Sequence, residues 1–388
     1  MKILIVDMSS YMHGDMKSAL EGMFGREYVH EIYYVFKNKD IYHNEEFEDL
    51  FKGKLKDQNY DFVLSTNFFP VIARICNEEG IPYFAWSYDT PMNVLPCEEM
   101  RYDTNFIFLF DKLEVARYKE LGFGRFYHLP LAVNTGRYDT FKPSGKYTAD
   151  ISFMGKLYRS TIPYIKDGLS EALVGYIDKL ISIQRQTIGK YIVDDLISQP
   201  IIAEMNRQYA ESGKDLTIIK EQLSYAVSAH VTYLDRVILL EMLARRFDTH
   251  LYTYDIGDTE KGILKNVKIH GPLNYYTEMP IMFKSSKINL NGSFRAAKSA
   301  IPMRALDIMG CGGFLLTSVQ PEYEDYFDNG KELVMYHSEE EAVELSDYYL
   351  KHDDERKKVA AAGYEKVKKA FRYEDRFNEM LRVAGVNA

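Results

Sequence analysis

Short, almost wholly apolar runs alternate with amphipathic stretches along the first third of this chain, and that alternation restricts its fold more than any other feature. The runs Lys2–Val6, Glu31–Phe36, Asp61–Leu64, Tyr83–Trp86, Phe106–Phe110 and Phe126–Leu129 have the length and side chains of strands. Helical patterns fall between several of them, at Met16–Phe24, Glu45–Lys56, Phe69–Glu79 and Lys112–Leu121. Turn signals at Gly80–Pro82 and Gly122–Gly124 punctuate the units. A strand that is apolar on both faces needs cover on both, and helices between strands supply it, so a parallel sheet is expected. This first Rossmann-like domain is read over residues 1–140.

Asn134–Ala149 is polar, with Gly and Pro, and reads as a linker. A new strand follows at Asp150–Met154, closed by Gly155. Ser160 to Phe247 carries helical periodicity (Leu173, Tyr176, Ile177, Leu180, Ile183) without strand signals, so a helical insertion is expected over about 160–247. Alternation resumes with His250–Tyr254, Val267–His270, Lys287–Asn291, Phe314–Thr317 and Leu333–Tyr336. That defines a second Rossmann-like domain over 150–370. Two helices close the chain, about Asp353–Phe371 and Tyr373–Val383, and the segment 371–388 is expected to pack back on the first domain. The fold class is therefore α/β, with two Rossmann-like domains facing across a cleft and the insertion in the second. Open α/β sheets take ligands at the carboxyl ends of their strands, so such a cleft suits two substrates.

At 388 residues the chain is long for one core and suits two domains. Its net charge of -9 argues against binding a nucleic-acid backbone. Cys76, Cys97 and Cys311 lack CxxC spacing and read as reduced thiols of a cytoplasmic protein. The start MKILIVDMSS reads as a strand, not a signal peptide, and no apolar run approaches the ~18 residues a membrane span needs. Contact with a membrane surface stays open. The 31 Tyr and 22 Phe suggest many half-buried rings, and sugar stacking by some of them stays open as well.

The stretch IPMRALDIMGCGGFLLT, Ile301–Thr317, reads as an apolar-periodic helix, a turn at Gly310, Gly312 and Gly313, and a buried strand. Asp307 lies inside the helix, one turn after Arg304. A carboxylate there can reach ribose hydroxyls and the Arg can fork onto phosphate, or the two simply pair on the helix surface. Gly155-Lys156-Leu157-Tyr158-Arg159 follows a strand and offers a Gly turn with two cations, a cradle for pyrophosphate or a solvated basic turn. Asn289 and Asn291 alternate onto one side of their strand, where an Asn needs hydrogen bonds. Arg295 follows as a phosphate clamp or a loop cap.

The passage Ser286–Tyr336 resembles the spore-maturation, CgeB-like branch of the group 1 glycosyltransferases, which have the GT-B fold. The resemblance is carried by Leu290–Asn291, Arg295, Ile301–Arg304, Leu306–Ile308 and Gly312–Thr317, and more loosely by NFFPVIARICNEEGIPYFAWSYDTP in the first domain. It implies a transferase using a nucleotide-diphosphate sugar, UDP-sugar favoured, held mostly by the second domain. In such relatives a Glu, seven residues and a second Glu mark the donor site. Asp307 stands at the second position and Ser299 at the first, so the motif is half kept. The resemblance also implies that Lys156 and Arg159 replace a metal at the diphosphate, and that Gly271-Pro272 opens the base-binding loop. No DxD pair lies where a metal site would be expected, and Gly14 is too isolated for a dinucleotide fingerprint, so no metal or cofactor is expected.

Transfer needs a base for the acceptor proton, and His13 and Asp89 at strand ends of the first domain are the candidates. The bland alternatives are a loop residue for His13 and a turn or helix cap for Asp89. The reading is a metal-independent glycosyltransferase with the nucleotide-sugar donor in the second domain and a glycan, protein or small-molecule acceptor in the first. The insertion could serve as a dimerisation arm or docking site. Two other classes share the architecture: a UDP-sugar epimerase, and a non-catalytic nucleotide-sugar-binding partner subunit.

Overall fold

The structure is a computed structural model that describes residues 1–36 and 40–386. Positions 387 and 388, the end of the expected C-terminal helix, lie outside the described residues. The chain divides into two compact units, 1–134 with 367–388, and 135–366.

In the first unit, strands β1 (Ile3–Asp7), β2 (Val29–Tyr33), β3 (Phe62–Thr66), β4 (Tyr83–Trp86), β5 (Asn105–Leu109) and β6 (Phe126–His128) form a sheet in the order β2-β1-β3-β4-β5-β6. Every pairing is parallel. The helices between them are α1 (His13–Phe24), α2 (Glu45–Asp57), α3 (Pro70–Glu79) and α4 (Lys112–Glu120). Phe47, Phe51 and Leu55 of α2 follow helical spacing and pack with Leu4, Val6 and Val63 of the sheet. Each such fully buried aliphatic or Phe side chain is worth about 1.5–3 kcal/mol. Strand β2 begins two residues earlier than its apolar run suggests, because pairing sets Ile3 opposite Val29 and Asp7 opposite Tyr33. Helix α1 also begins earlier than expected, so His13 opens a helix and is not a loop residue.

The second unit opens on α5 (Thr135–Asp139), followed by β7 (Ala149–Met154). The expected bare linker is thus partly helical, tied down by the buried rings of Tyr138 and Tyr147. Helices α6 (Ile162–Lys166), α7 (Glu171–Gln186), α8 (Val193–Leu196), α9 (Gln199–Glu211) and α10 (Lys220–Ala244) come next. Then follow β8 (Thr249–Tyr252), α11 (Asp258–Ile263), β9 (Lys268–His270), α12 (Met279–Ser285) and β10 (Ser286–Asn291). After α13 (Met303–Gly310) come β11 (Leu315–Ser318) and β12 (Val334–Tyr336). This sheet is also parallel, in the order β12-β11-β10-β7-β8-β9. Helix α10 serves two cores: Leu223, Val227 and Val231 join the helices α6–α9, while Val237, Leu240 and Leu243 cover the sheet.

Both sheets reverse their strand order once, between β1 and β3 in the first and between β7 and β10 in the second. A crevice opens at the carboxyl ends of strands where connections leave in opposite directions, and ligands of open α/β sheets bind there. The described non-glycine residues with positive φ, Ser9, Asn67 and Tyr158, all follow strand carboxyl ends.

Glycine is required on sterics at one point of the sequence motif. A Cβ on Gly313 would lie 2.6 Å from Asn289 Nδ2, 3.0 Å from the Phe283 carbonyl and 3.1 Å from that of Ile308. Gly313→Ala is expected to destabilise by about 1–3 kcal/mol, the usual penalty of overpacking. Denaturant unfolding checks it, and an unchanged midpoint would show that the backbone gives way freely.

Candidate functional site

The second switch point brings together the turns after β7 and β10. Arg236, on α10, bridges them: its Nη1 donates to the Lys156 carbonyl and its Nη2 donates to that of Gly292. The Arg236 Nε is buried and has no hydrogen-bond partner, and the same holds for Ser293 Oγ beside it. No carboxylate lies within ion-pair distance of this guanidinium among the described residues. A cavity of about 40 Å³ there is lined by Phe153, Leu239, Leu240, Leu290 and Tyr336, by Arg236, Arg295 and Ser293, and by the carboxylates Asp235 and Glu339. Burial pushes the pKa of Arg236 down, offset in part by Tyr158, Tyr336 and Asp235. A half-buried cation whose buried Nε lacks a partner is completed by an anion. The geometry therefore fits a phosphate-like group at the meeting point of β7 and β10.

Arg295, expected as a phosphate clamp, is already committed. Its Nε lies 2.6 Å from Asp235 Oδ2, its Nη1 donates to the Thr187 carbonyl at 3.2 Å, and its backbone N–H donates to Thr232 Oγ1 at 2.9 Å. Asp235 also faces Arg185 at 3.7 Å, and burial raises its pKa against the pull of Arg295. This network fastens the loop after β10 to α10. Lys156 is exposed, and a hydrogen bond with Tyr254 raises its pKa. Arg159 is exposed and faces Glu260 at 3.5 Å. Gly155 ends β7 beside Arg236, whereas Gly271, after β9, has open space where a Cβ would sit, so nothing there demands glycine.

Other residues of the motif turn out to hold the fold together. Asn289 accepts from Ser152 Oγ at 2.9 Å and donates to the Phe283 carbonyl at 3.1 Å. Asn291 donates to Thr317 Oγ1 at 3.0 Å. Both asparagines are buried, and they stitch β10 to its neighbours. Gly312 and Gly313 precede β11 and so sit at its amino end, away from the strand ends that ligands use.

Asp307 corrects the reading most. It is neither a surface carboxylate nor open to a ribose, because only 1% of it is exposed. Its Oδ1 accepts from Tyr138 at 2.6 Å and Tyr275 at 3.1 Å, and its Oδ2 faces Arg304 Nη1 at 3.3 Å. Burial raises its pKa, opposed by Arg304 and the tyrosine hydroxyls. Arg304 is held further by contact with Met279 and Phe283. Ser299, at the first position of the half-kept motif, is likewise buried and donates to Glu322 at 2.6 Å.

In the first unit, His13 Nε2 faces Glu31 Oε2 at 3.3 Å and its Nδ1 lies 3.8 Å from Asp7 Oδ2. Glu31 is shared with Lys17, which lowers its pKa. Asp89 accepts at one oxygen from Asn67 at 2.8 Å and from Asn93 at 2.7 Å. Asn67, at φ 64°, also accepts at Oδ1 from the Tyr88 N–H at 2.9 Å. Asp89 is thus oriented by a fixed polar network at the ends of β3 and β4, and it does not cap a helix.

Arg236, Ser293 and Asp235 were not singled out from sequence. The available signal was an Asp-Arg pair interrupting the apolar run of α10, which reads equally as a solvated face.

Residues 236–382 match the family model described as glycosyl transferase-like. Among solved structures, the chain is similar to sucrose-phosphate synthase from Thermosynechococcus elongatus, at 10% identity and a TM-score of 0.57, covering 99% of this chain and 98% of that one. It is similar to Anabaena HepE in complex with UDP-glucose, at 9% identity and a TM-score of 0.56, covering 99% of each. It is also similar to WaaG, a glycosyltransferase involved in lipopolysaccharide biosynthesis, at 11% identity and a TM-score of 0.50, covering 99% of this chain and 100% of that one. No curated protein matches the chain. The fold is GT-B, built from two Rossmann-like units with parallel six-stranded sheets. No described helix is long and apolar enough to cross a membrane.

Proposed function

We propose that the protein is a glycosyltransferase that takes a sugar from a nucleotide-diphosphate sugar, UDP-sugar favoured, and transfers it to an acceptor hydroxyl without a metal. The observation that carries this reading is Arg236 at the β7–β10 switch point, half-buried, unmatched by a carboxylate and with a buried Nε that lacks a partner. The UDP-glucose held by HepE, which shares the fold, supports the donor class. On this reading Arg236, Ser293 and the exposed Lys156 stabilise charge developing on the departing diphosphate. The acceptor oxygen bonds to the anomeric carbon, the bond from that carbon to the diphosphate oxygen breaks, and a base takes the hydroxyl proton. His13 and Asp89 are the bases to test, each oriented by neighbours as a general base requires. Placement in the CgeB-like branch rests on the Ile301–Arg304 and Gly312–Thr317 motifs.

On this reading the cations above supply the charge a metal would otherwise bring. The test is calorimetric titration with UDP-, GDP-, TDP- and ADP-sugars in the presence of a chelator. Binding of one base class at micromolar affinity, unaffected by chelation, is the expected result. Absence of binding by every donor would overturn the proposal. Interconversion of a free UDP-sugar without acceptor would instead identify an epimerase.

A further inference from the structure

Four aromatic side chains from separate segments gather at the carboxyl ends of β7, β8 and β10. Tyr158, four residues past β7, stacks on Phe294 with ring centroids 4.4 Å apart and an interplanar angle of 11°. Phe294 meets Tyr225 of α10 at 5.4 Å, and Tyr225 is 45% exposed. Lys156 Nζ lies 6.0 Å from the Tyr158 ring and 5.7 Å from that of Tyr254, which is 63% exposed. Tyr158 holds this place at φ 64°, a conformation that costs a bulky residue on the order of 1–2 kcal/mol. Asp255 Oδ2 offsets that cost by accepting the N–H of Tyr158 at 2.8 Å and of Arg159 at 3.3 Å. A glycine would take the same backbone without strain but would present no ring.

We propose that Tyr158, Phe294, Tyr225 and Tyr254 form a stacking shelf for a carbohydrate acceptor, with the helical insertion contributing Tyr225. The inference rests on the donor reading above and names its acceptor class. A pyranose has an apolar C–H face and a rim of hydroxyls. Exposed tyrosines match both, offering a flat apolar ring and a hydroxyl handle. The shelf adjoins Lys156, in the turn assigned to the diphosphate, so a ring resting on it lies next to the point of transfer. A lipid acceptor would need a larger contiguous apolar surface than these four rings, three of them carrying hydroxyls, provide.

Saturation-transfer NMR with malto-, cello-, manno- and chito-oligosaccharides, with and without UDP, tests the shelf on wild type, Tyr225→Ala and Tyr254→Ala. Both tyrosines are exposed, so their truncation spares the core, and circular dichroism verifies the fold. The expected result is that at least one saccharide binds wild type and that either variant weakens it about tenfold, in line with the cost of losing one stacking ring. UDP affinity should stay within twofold in Tyr225→Ala, which leaves Lys156 and its Tyr254 partner intact. The shelf is overturned if no saccharide binds, if binding survives both substitutions, or if UDP affinity falls in parallel, which would make it a nucleobase platform. Tyr225-dependent saccharide binding without any UDP binding would sink the donor reading and leave the shelf standing.

Discussion

Arg236→Ala is expected to remove nearly all the thermal stabilisation that UDP gives the wild-type protein, while the ligand-free variant melts within a few degrees of wild type. The sign follows from the environment of the guanidinium. In the ligand-free state it bridges the carbonyls of Lys156 and Gly292, with Nε unmet and no carboxylate close enough to pair. Truncating it gives up two hydrogen bonds but also removes a half-buried, poorly compensated charge, and these effects oppose each other. With a diphosphate bound, the same cation would be matched by formal charge, and its loss should lower kcat/KM by about 10²–10³-fold. Arg236→Lys should recover only part of this, because an ammonium cannot span two carbonyls and a phosphate at once. Differential scanning fluorimetry with and without UDP reads the first effect and donor hydrolysis the second. An undiminished UDP shift in Arg236→Ala would remove this residue from the donor site.

Asp307→Ala should act in the opposite way, harming stability and sparing ligand affinity. The substitution strips the partner from Tyr138 and Tyr275, whose hydroxyls are 3.1 Å apart and buried, and from Arg304. Leaving such groups unsatisfied costs about 2–4 kcal/mol. Asp307→Asn keeps an acceptor oxygen for the tyrosines and removes a charge that burial already disfavours, so its cost should be much smaller. Chemical denaturation of both variants gives the ranking, and titration with UDP at a temperature where Asp307→Ala is folded gives the affinity. A tenfold loss of UDP affinity without loss of stability would restore the ribose role that the sequence motif suggests.

These two residues show where a motif stops being informative. Asp307 was legible as important because a carboxylate in an apolar helix is unusual. Its purpose was not, because the hydroxyls that claim it come from Tyr138 and Tyr275, far away in sequence. Arg236 was passed over because within α10 it looks like any cation on a helix face. Its meaning arises only when β7 and β10, more than a hundred residues apart, become neighbours and present two carbonyls to it. Arg295, read as a phosphate clamp or a loop cap, is held as the second would have it, because Asp235 is its partner.

By itself the sequence determined the α/β class, most strand positions and the helical run between β7 and β8. Apolar runs bounded by glycine, and helical spacing of side chains, are local properties that need no partner to be read. Only the tertiary structure decided which cation is left unpaired, which carboxylate is sealed, and which aromatic rings share a shelf. Those properties belong to groups brought together by strand order, and their free energies depend on burial and on neighbours that the chain supplies from distant segments.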